Sequence, residues 1–220
     1  MNYATLVKTI KSYVENDFPQ SIGTDGLTST EQIDTFIKLT EQRIYNSVQI
    51  LDLRKNVTGS ATASNAYMSL PTDWLASFSV ASIDPSTGAY TFLYDRDVSY
   101  IREAFPIPAT EGAPTHYALF DDDTMLFGPT PDQTYSIELH YFFYPETIVT
   151  ASTTWLGDNF DSVLLAGCLL EAYTFMKGEP DVLEMYRERY ELALGLLKQL
   201  AEGKNRQDNY TTLQTRTQVR

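Results

Sequence analysis

Apolar residues recur with helical spacing at both ends of the chain and with shorter, alternating spacing in the middle. Leu6, Ile10, Tyr13 and Val14 share one stripe, which predicts a helix from Tyr3 to about Asp17. The segment FPQSIGTDG ends it, because Pro and Gly break the period. A second helix is expected to begin at TSTEQ, where Thr28 with Glu31, or Ser29 with Gln32, has the spacing of a capping box. Ile33, Phe36, Ile37, Ile44, Val48 and Leu51 mark its buried face. After Thr150 the helical period returns. WLGDNFDSVLLAGCLLEAYTFMKG is expected to form one helix, capped near Asp158 or Asp161 and stopped by Gly178. EPDVLEMYRERYELALGLLKQLAEG is expected to form the next, with Pro180 in its first turn and Gly203 just past its end. Leu183, Tyr186, Tyr190, Leu194 and Leu197 trace its stripe.

Between about Leu53 and Thr150 the pattern is that of short strands. LRKNVTG and AYMSLP are expected to pair across the small-residue loop GSATASN. ASFSVASI and AYTFLY read as further strands, and DRDVSYIREAF as a short helix using Val98, Ile101 and Phe105. THYALF and TMLFG flank the run Asp121, Asp122, Asp123, a strand–turn–strand pattern. TYSIELHYFFYP is the clearest strand: Tyr135, Ile137, Leu139, Tyr141 and Phe143 alternate onto one face. Aromatics on both of its faces imply cover on both, either by helices on one side and neighbouring subunits on the other or as a sheet well covered within one chain.

Helices and strands are segregated along the chain, which indicates an α+β fold and not a parallel βαβ sheet. The expectation is a helical bundle of about four helices with an antiparallel β-rich insertion and a disordered C-terminal tail. In residue terms, residues 1–202 form one domain, with helices in 1–52 and 158–202 and the insertion in 53–150. Residues 203–220 form a flexible, basic tail, polar and rich in Thr and Gln.

Charge sharpens this division. The net charge is −13, which makes the chain a poor general binder of nucleic-acid phosphates. The tail runs the other way: Lys204, Arg206, Arg216 and Arg220 stand there against Asp208. A basic tail on an acidic body suits contact with an acidic partner surface, whereas a frayed terminus would leave it solvated. The single cysteine, Cys168, lies in an apolar helical run, so no disulfide forms within the chain and the thiol reads as a small buried hydrophobe. The N-terminus has no secretory pattern, and the most apolar segment is interrupted by Glu171 and too short to cross a bilayer.

Few residues carry recognisable chemistry. Asp121–Asp123 are contiguous, whereas a Ca²⁺ loop needs staggered oxygen ligands; a solvated turn is the simpler reading. His116 and His140 are the only histidines, and no C-x-x-C or H-E-x-x-H accompanies them. No phosphate-binding glycine motif or G-x-S-x-G nucleophile motif occurs. No metal or other cofactor is therefore expected. The rival reading is a small hydrolase that uses His116 or His140 with one of Asp121–Asp123.

LPTDW (70–74), the block PTHYALFDDDTMLFGPTPDQTYSIELHYFFYP (114–145), WLGDNFDSVLLAGCLLEAY and YRERYELAL together carry a resemblance. In order and kind of element the chain resembles the head-to-tail adaptor, or connector, proteins of tailed bacteriophages, especially the short-tailed ones. The resemblance covers about residues 1–202 and implies a structural virion protein with no catalytic residues. Such adaptors form a twelve-subunit ring between the portal and the tail, extend the DNA channel without binding DNA specifically, and dock tail nozzle or tail-fibre proteins. They act in the neck of the virion, after assembly in the host cytoplasm. The implied portal-binding tail residues are Lys204, Arg206, Tyr210, Leu213, Arg216, Val219 and Arg220, and Asp121, Asp122 and Asp123 form the candidate loop for tail components. No membrane contact is implied. A different neck or tail-completion protein is the alternative within the structural class.

Overall fold

A computed structural model describes residues 1–20 and 25–208. The chain divides into a helical unit, Met1–Leu53 with Pro145–Arg220, and a β unit, Arg54–Tyr144. The α+β reading stands, but a bundle of about four helices does not. The described residues hold seven α-helices and sheets of four, four and two strands.

In the helical unit, α1 (Tyr3–Val14) starts at Asn2, whose side chain accepts the Thr5 N–H at 2.9 Å. The second helix, α2 (Ser29–Ser47), carries the expected capping box: Glu31 Oε2 accepts the Thr28 N–H at 2.8 Å, and Thr28 Oγ1 accepts the Glu31 N–H at 3.3 Å. A 3₁₀ turn follows at Leu51–Leu53. The single helix expected over 155–178 is two: α5 (Trp155–Asn159) and α6 (Asp161–Phe175), preceded by the one-turn α4 (Ile148–Ala151). The break is at Phe160, which leaves the helical region at φ −140°, ψ 51°. The last helix, α7 (Pro180–Asp208), runs five residues past Gly203, where glycine was expected to end it. A glycine lowers helix propensity by only about 1 kcal/mol, and the Lys, Asn, Arg and Gln that follow are compatible with continuing.

The sixth helix is the axis of this unit. It packs against α1, α2, α5 and α7, and its buried residues (Val163, Leu164, Ala166, Gly167, Cys168, Leu169, Ala172) fall on every side. A helix that is apolar all round belongs inside. Gly167 permits the close approach: a Cβ there would lie 2.4 Å from Thr40 Cγ2 and 3.1 Å from the Tyr190 ring. Phe18, Phe36 and Phe175 close one end, with ring centroids 5.5 Å (18–36) and 5.3 Å (36–175) apart. Glu41, only 3% exposed, accepts the Thr147 hydroxyl and, at 3.0 Å, the Ile148 N–H. These bonds tie α2 to the start of α4; burial raises the carboxyl's pKa against them.

The β unit contains β1 (Arg54–Ala61), β2 (Tyr67–Ser69), β3 (Ala76–Ile83), β4 (Tyr90–Phe92), β5 (Tyr94–Asp95), β6 (Glu111–Gly112), β7 (His116–Asp121), β8 (Thr124–Gly128), β9 (Thr130–Pro131) and β10 (Tyr135–Phe142), with α3 (Val98–Ala104) between β5 and β6. The sheets run β1-β10-β3-β4, β2-β8-β7-β5 and β6-β9. The expected β1–β2 hairpin is not formed. Antiparallel β10 takes β1 over its whole length, Arg54 opposite Phe142 through Ala61 opposite Tyr135, and β2 pairs with β8. The long alternating strand offers β1 eight partners where β2 could offer three. Nor is the insertion wholly antiparallel, since β5 pairs with β7 and β6 with β9 in parallel.

Ala61, Val80, Tyr117, Phe127, Tyr135, Ile137, Leu139 and Tyr141 build the core of this unit. Tyr141, 1% exposed, donates its hydroxyl to Asp73 Oδ1 at 2.8 Å, and Lys55 Nζ donates to Asp73 Oδ2 at 2.6 Å. The Lys55 hydrogen bond is the main cause holding the Asp73 carboxyl below 3.8, with the Tyr141 bond assisting.

Gly167→Ala should cost about 1–3 kcal/mol, or more if α2 and α7 fail to move apart, read by urea unfolding. Asp73 gives a pH signature. Because its folded pKa is depressed, its stabilisation is complete above the ordinary value and is lost as pH falls through the depressed one. Asp73→Asn should therefore flatten the acid limb of stability below about pH 4, read as Tm against pH.

Candidate functional site

The aspartate run closes the β7–β8 hairpin. Asp121 pairs with Thr124 across the turn, and Asp121 Oδ1 accepts the Asp123 N–H at 3.0 Å. The Asp123 carbonyl accepts the Leu70 N–H at 2.7 Å, fastening the tip to the chain after β2. All three aspartates are exposed. Beside them Leu119 and Phe120 are also exposed; Phe120 meets Tyr67 edge-on at 5.4 Å, and Arg102 donates to the Tyr67 hydroxyl at 2.7 Å. The tip is an exposed knob that mixes carboxylates and rings.

His116 sits at the far end of the same strand, opposite Gly128. Five residues of strand put it about 16 Å from Asp121. Its Nδ1 lies 2.8 Å from Thr115 Oγ1, and the rings of Tyr94, Tyr100 and Phe105 surround it at 5.7, 5.6 and 6.0 Å. Gly128 opposite it makes room for α3: a Cβ would lie within 2.9 Å of Ile101 and Phe105 side chains. His140 belongs to the other four-stranded sheet. It stacks on Phe78 at 5.8 Å, and its Nε2 lies 3.8 Å from Glu138 Oε1, which also accepts Asn56 Nδ2 at 3.0 Å. Neither imidazole meets Asp121, Asp122 or Asp123, so the residues of the hydrolase reading are not brought together. Among the described residues no group of three or more His, Cys, Asp or Glu is placed to hold a metal ion.

What the described residues do present is exposed apolar surface. Tyr90, Phe92 and Tyr94 are 55%, 64% and 64% exposed, in a row that continues from the sheet-edge strand β4 into β5. Phe78 is the extra residue of a bulge in β3 opposite His140 and Tyr141; its ring, with Phe142, lies under the Arg54 guanidinium. In the helical unit a groove of about 350 Å³ is lined by Tyr13, Leu165, Leu169, Arg189, Leu192 and Leu196. Its α7 wall is left bare, with Leu192 69% and Leu196 54% exposed. The helical stripe read from the sequence finds the buried Tyr186, Tyr190 and Leu197 but not this second row. The signal was there: Met185, Leu192, Leu196 and Leu200 widen the apolar arc of α7 well beyond what one neighbouring helix covers.

The sequence matches the family described as SU10 adaptor protein over residues 1–218. The chain belongs to this family. It is thus a phage adaptor protein, as the resemblance implied, and a comparison with curated proteins finds no match. Of the adaptor's expected tail residues, Lys204 and Arg206 fall within α7; Tyr210, Leu213, Arg216, Val219 and Arg220 lie outside the described residues, as does most of the expected disordered tail. No described helix is long and apolar enough to cross a membrane.

The adaptor's one thiol fits a packing role. Cys168 is fully buried, and burial pushes its pKa up to about 12. It should resist maleimide in the native protein at about pH 8 and react within minutes in about 8 M urea; rapid native labelling, followed by mass spectrometry, would contradict this packing.

Proposed function

We propose that this adaptor works as a ring of copies, about twelve, set between the portal and the tail in the neck of the virion. The ring extends the DNA channel and presents the β7–β8 knob to a tail nozzle or tail-fibre protein. Assembly takes place in the host cytoplasm. The observation that carries this reading is the family match over residues 1–218. The geometry supports it: the candidate chemical groups are dispersed, while apolar surface stays open on both units. The acidity supports it as well. The β unit has four Lys and Arg against eleven Asp and Glu, and an acidic conduit repels the DNA backbone and lets it slide.

Residues 204–220 are assigned the portal contact. Lys204, Arg206, Arg216 and Arg220 supply cationic steering, and Tyr210, Leu213 and Val219 supply apolar anchors. The family resemblance and this composition support the assignment. Adaptor copies need not associate before the portal templates the ring, since a weak contact repeated around a closed ring gains from every neighbour.

Two measurements test this. Light scattering of adaptor mixed with portal should give a complex holding about twelve adaptor chains; a portal that takes up none contradicts the function. A chain ending at Asp208 should keep its circular dichroism and Tm yet bind portal roughly tenfold or more weakly. Unchanged affinity would refute the role of the tail.

A further inference from the structure

We infer that neighbouring copies join by seating the aromatic row Tyr90, Phe92 and Tyr94 of one chain in the groove between α1, α6 and α7 of the next. This rests on the ring proposed above and names the two surfaces that form it. A head-to-tail ring needs two different patches on each chain that fit one another, because each copy meets its two neighbours with different faces.

The two patches differ in form and match in character. Tyr90 and Phe92 lie on β4, which is bonded to β3 on one side only; Tyr94 lies on β5, the edge of the other four-stranded sheet, with its ring 5.7 Å from His116; all three remain more than half exposed. The groove is concave, mostly apolar and, at about 350 Å³, roomy enough for an aromatic ring or two. Their repeats are also commensurate. Tyr90 and Phe92, two apart on β4, recur at about 7 Å, and Leu192 and Leu196, four apart on the α7 wall of the groove, at about 6 Å. Successive rings can therefore settle between successive leucines. Exposed aromatic rows of this kind are common at interface centres and rare on surfaces that stay wet.

Charge chooses the occupant. The groove carries one cation, Arg189, among its apolar lining. The aromatic row is bracketed by net negative charge, Asp84 in the β3–β4 turn and, directly after Tyr94, Asp95 and Asp97 on either side of Arg96. The Asp84 carboxylate is fixed in place by the Thr87 and Ser86 N–H groups at 2.9 and 2.8 Å. An acid-flanked aromatic strand is thus the complement of this groove, and the chain itself supplies one.

The test uses particles whose adaptor carries both Phe92→Cys and Leu196→Cys, treated with a short bis-maleimide and run on a denaturing gel. The positions are exposed, so the fold should tolerate both changes, and buried Cys168 should stay silent. The double variant should give a ladder of linked adaptor chains, and each single variant monomer only. Copies at the neck are counted by imaging the same particles. A ring with no ladder overturns these surfaces and leaves the ring standing. A dimer from either single variant overturns the head-to-tail contact in favour of self-pairing. No ring at all overturns the ring reading and this contact with it. As a second arm, Arg189→Glu should cut the yield of rings at least several-fold and Asp95→Arg in the same chain should restore it; no restoration contradicts the charge pairing.

Discussion

The helical unit depends on one helix having no polar side. Because α6 is buried around its circumference, α1, α2, α5 and α7 must each give it an apolar stripe, and Gly167 lets Thr40 and Tyr190 come close enough to exclude water. The price is specificity of packing: at Gly167 even a methyl group meets another side chain inside van der Waals distance. The unit's open apolar surface is the groove that Leu165 and Leu169 of α6 share with α1 and the bare side of α7.

The β unit solves a different problem. Its long strand β10 lies between β1 and β3, and together their inner face forms a core rich in tyrosine. Tyrosine brings a large ring inward while its hydroxyl still needs a partner. Asp73 meets that need for Tyr141 and Asp132 for Tyr135, at 2.8 Å in each case. The outer strand β4 is left with alternating exposed rings. Rings turned inward build the unit, and rings turned outward stay exposed on its surface. Both histidines are absorbed into this aromatic framework, His116 among three rings and His140 against Phe78 with Glu138 beside it, and neither meets the hairpin aspartates.

Local signals in the sequence were reliable wherever local chemistry decides structure. The Thr28–Glu31 capping box, α3, the β7–β8 hairpin and the alternation of β10 are all legible from a few neighbouring residues. What escaped the sequence is long-range. The partner of β1 lies 74 to 88 residues away, and no local pattern distinguishes β10 from the nearer β2. The break at Phe160 was hidden because the apolar period continues through it, and the continuation of α7 past Gly203 because one glycine is a weak stop. Among the candidate residues, the exposed hairpin aspartates were legible as a turn, while the bare wall of α7 needed the structure to show which of its leucines have neighbours.

As a member of an adaptor family, this chain is expected to act through its surfaces at the junction of head and tail. Image reconstruction of the particle at the vertex where the tail joins tests that most directly. It should show a closed ring of this chain around the channel, with both units of every copy in density. Density for the chain elsewhere in the particle, or a neck built without it, would contradict the account.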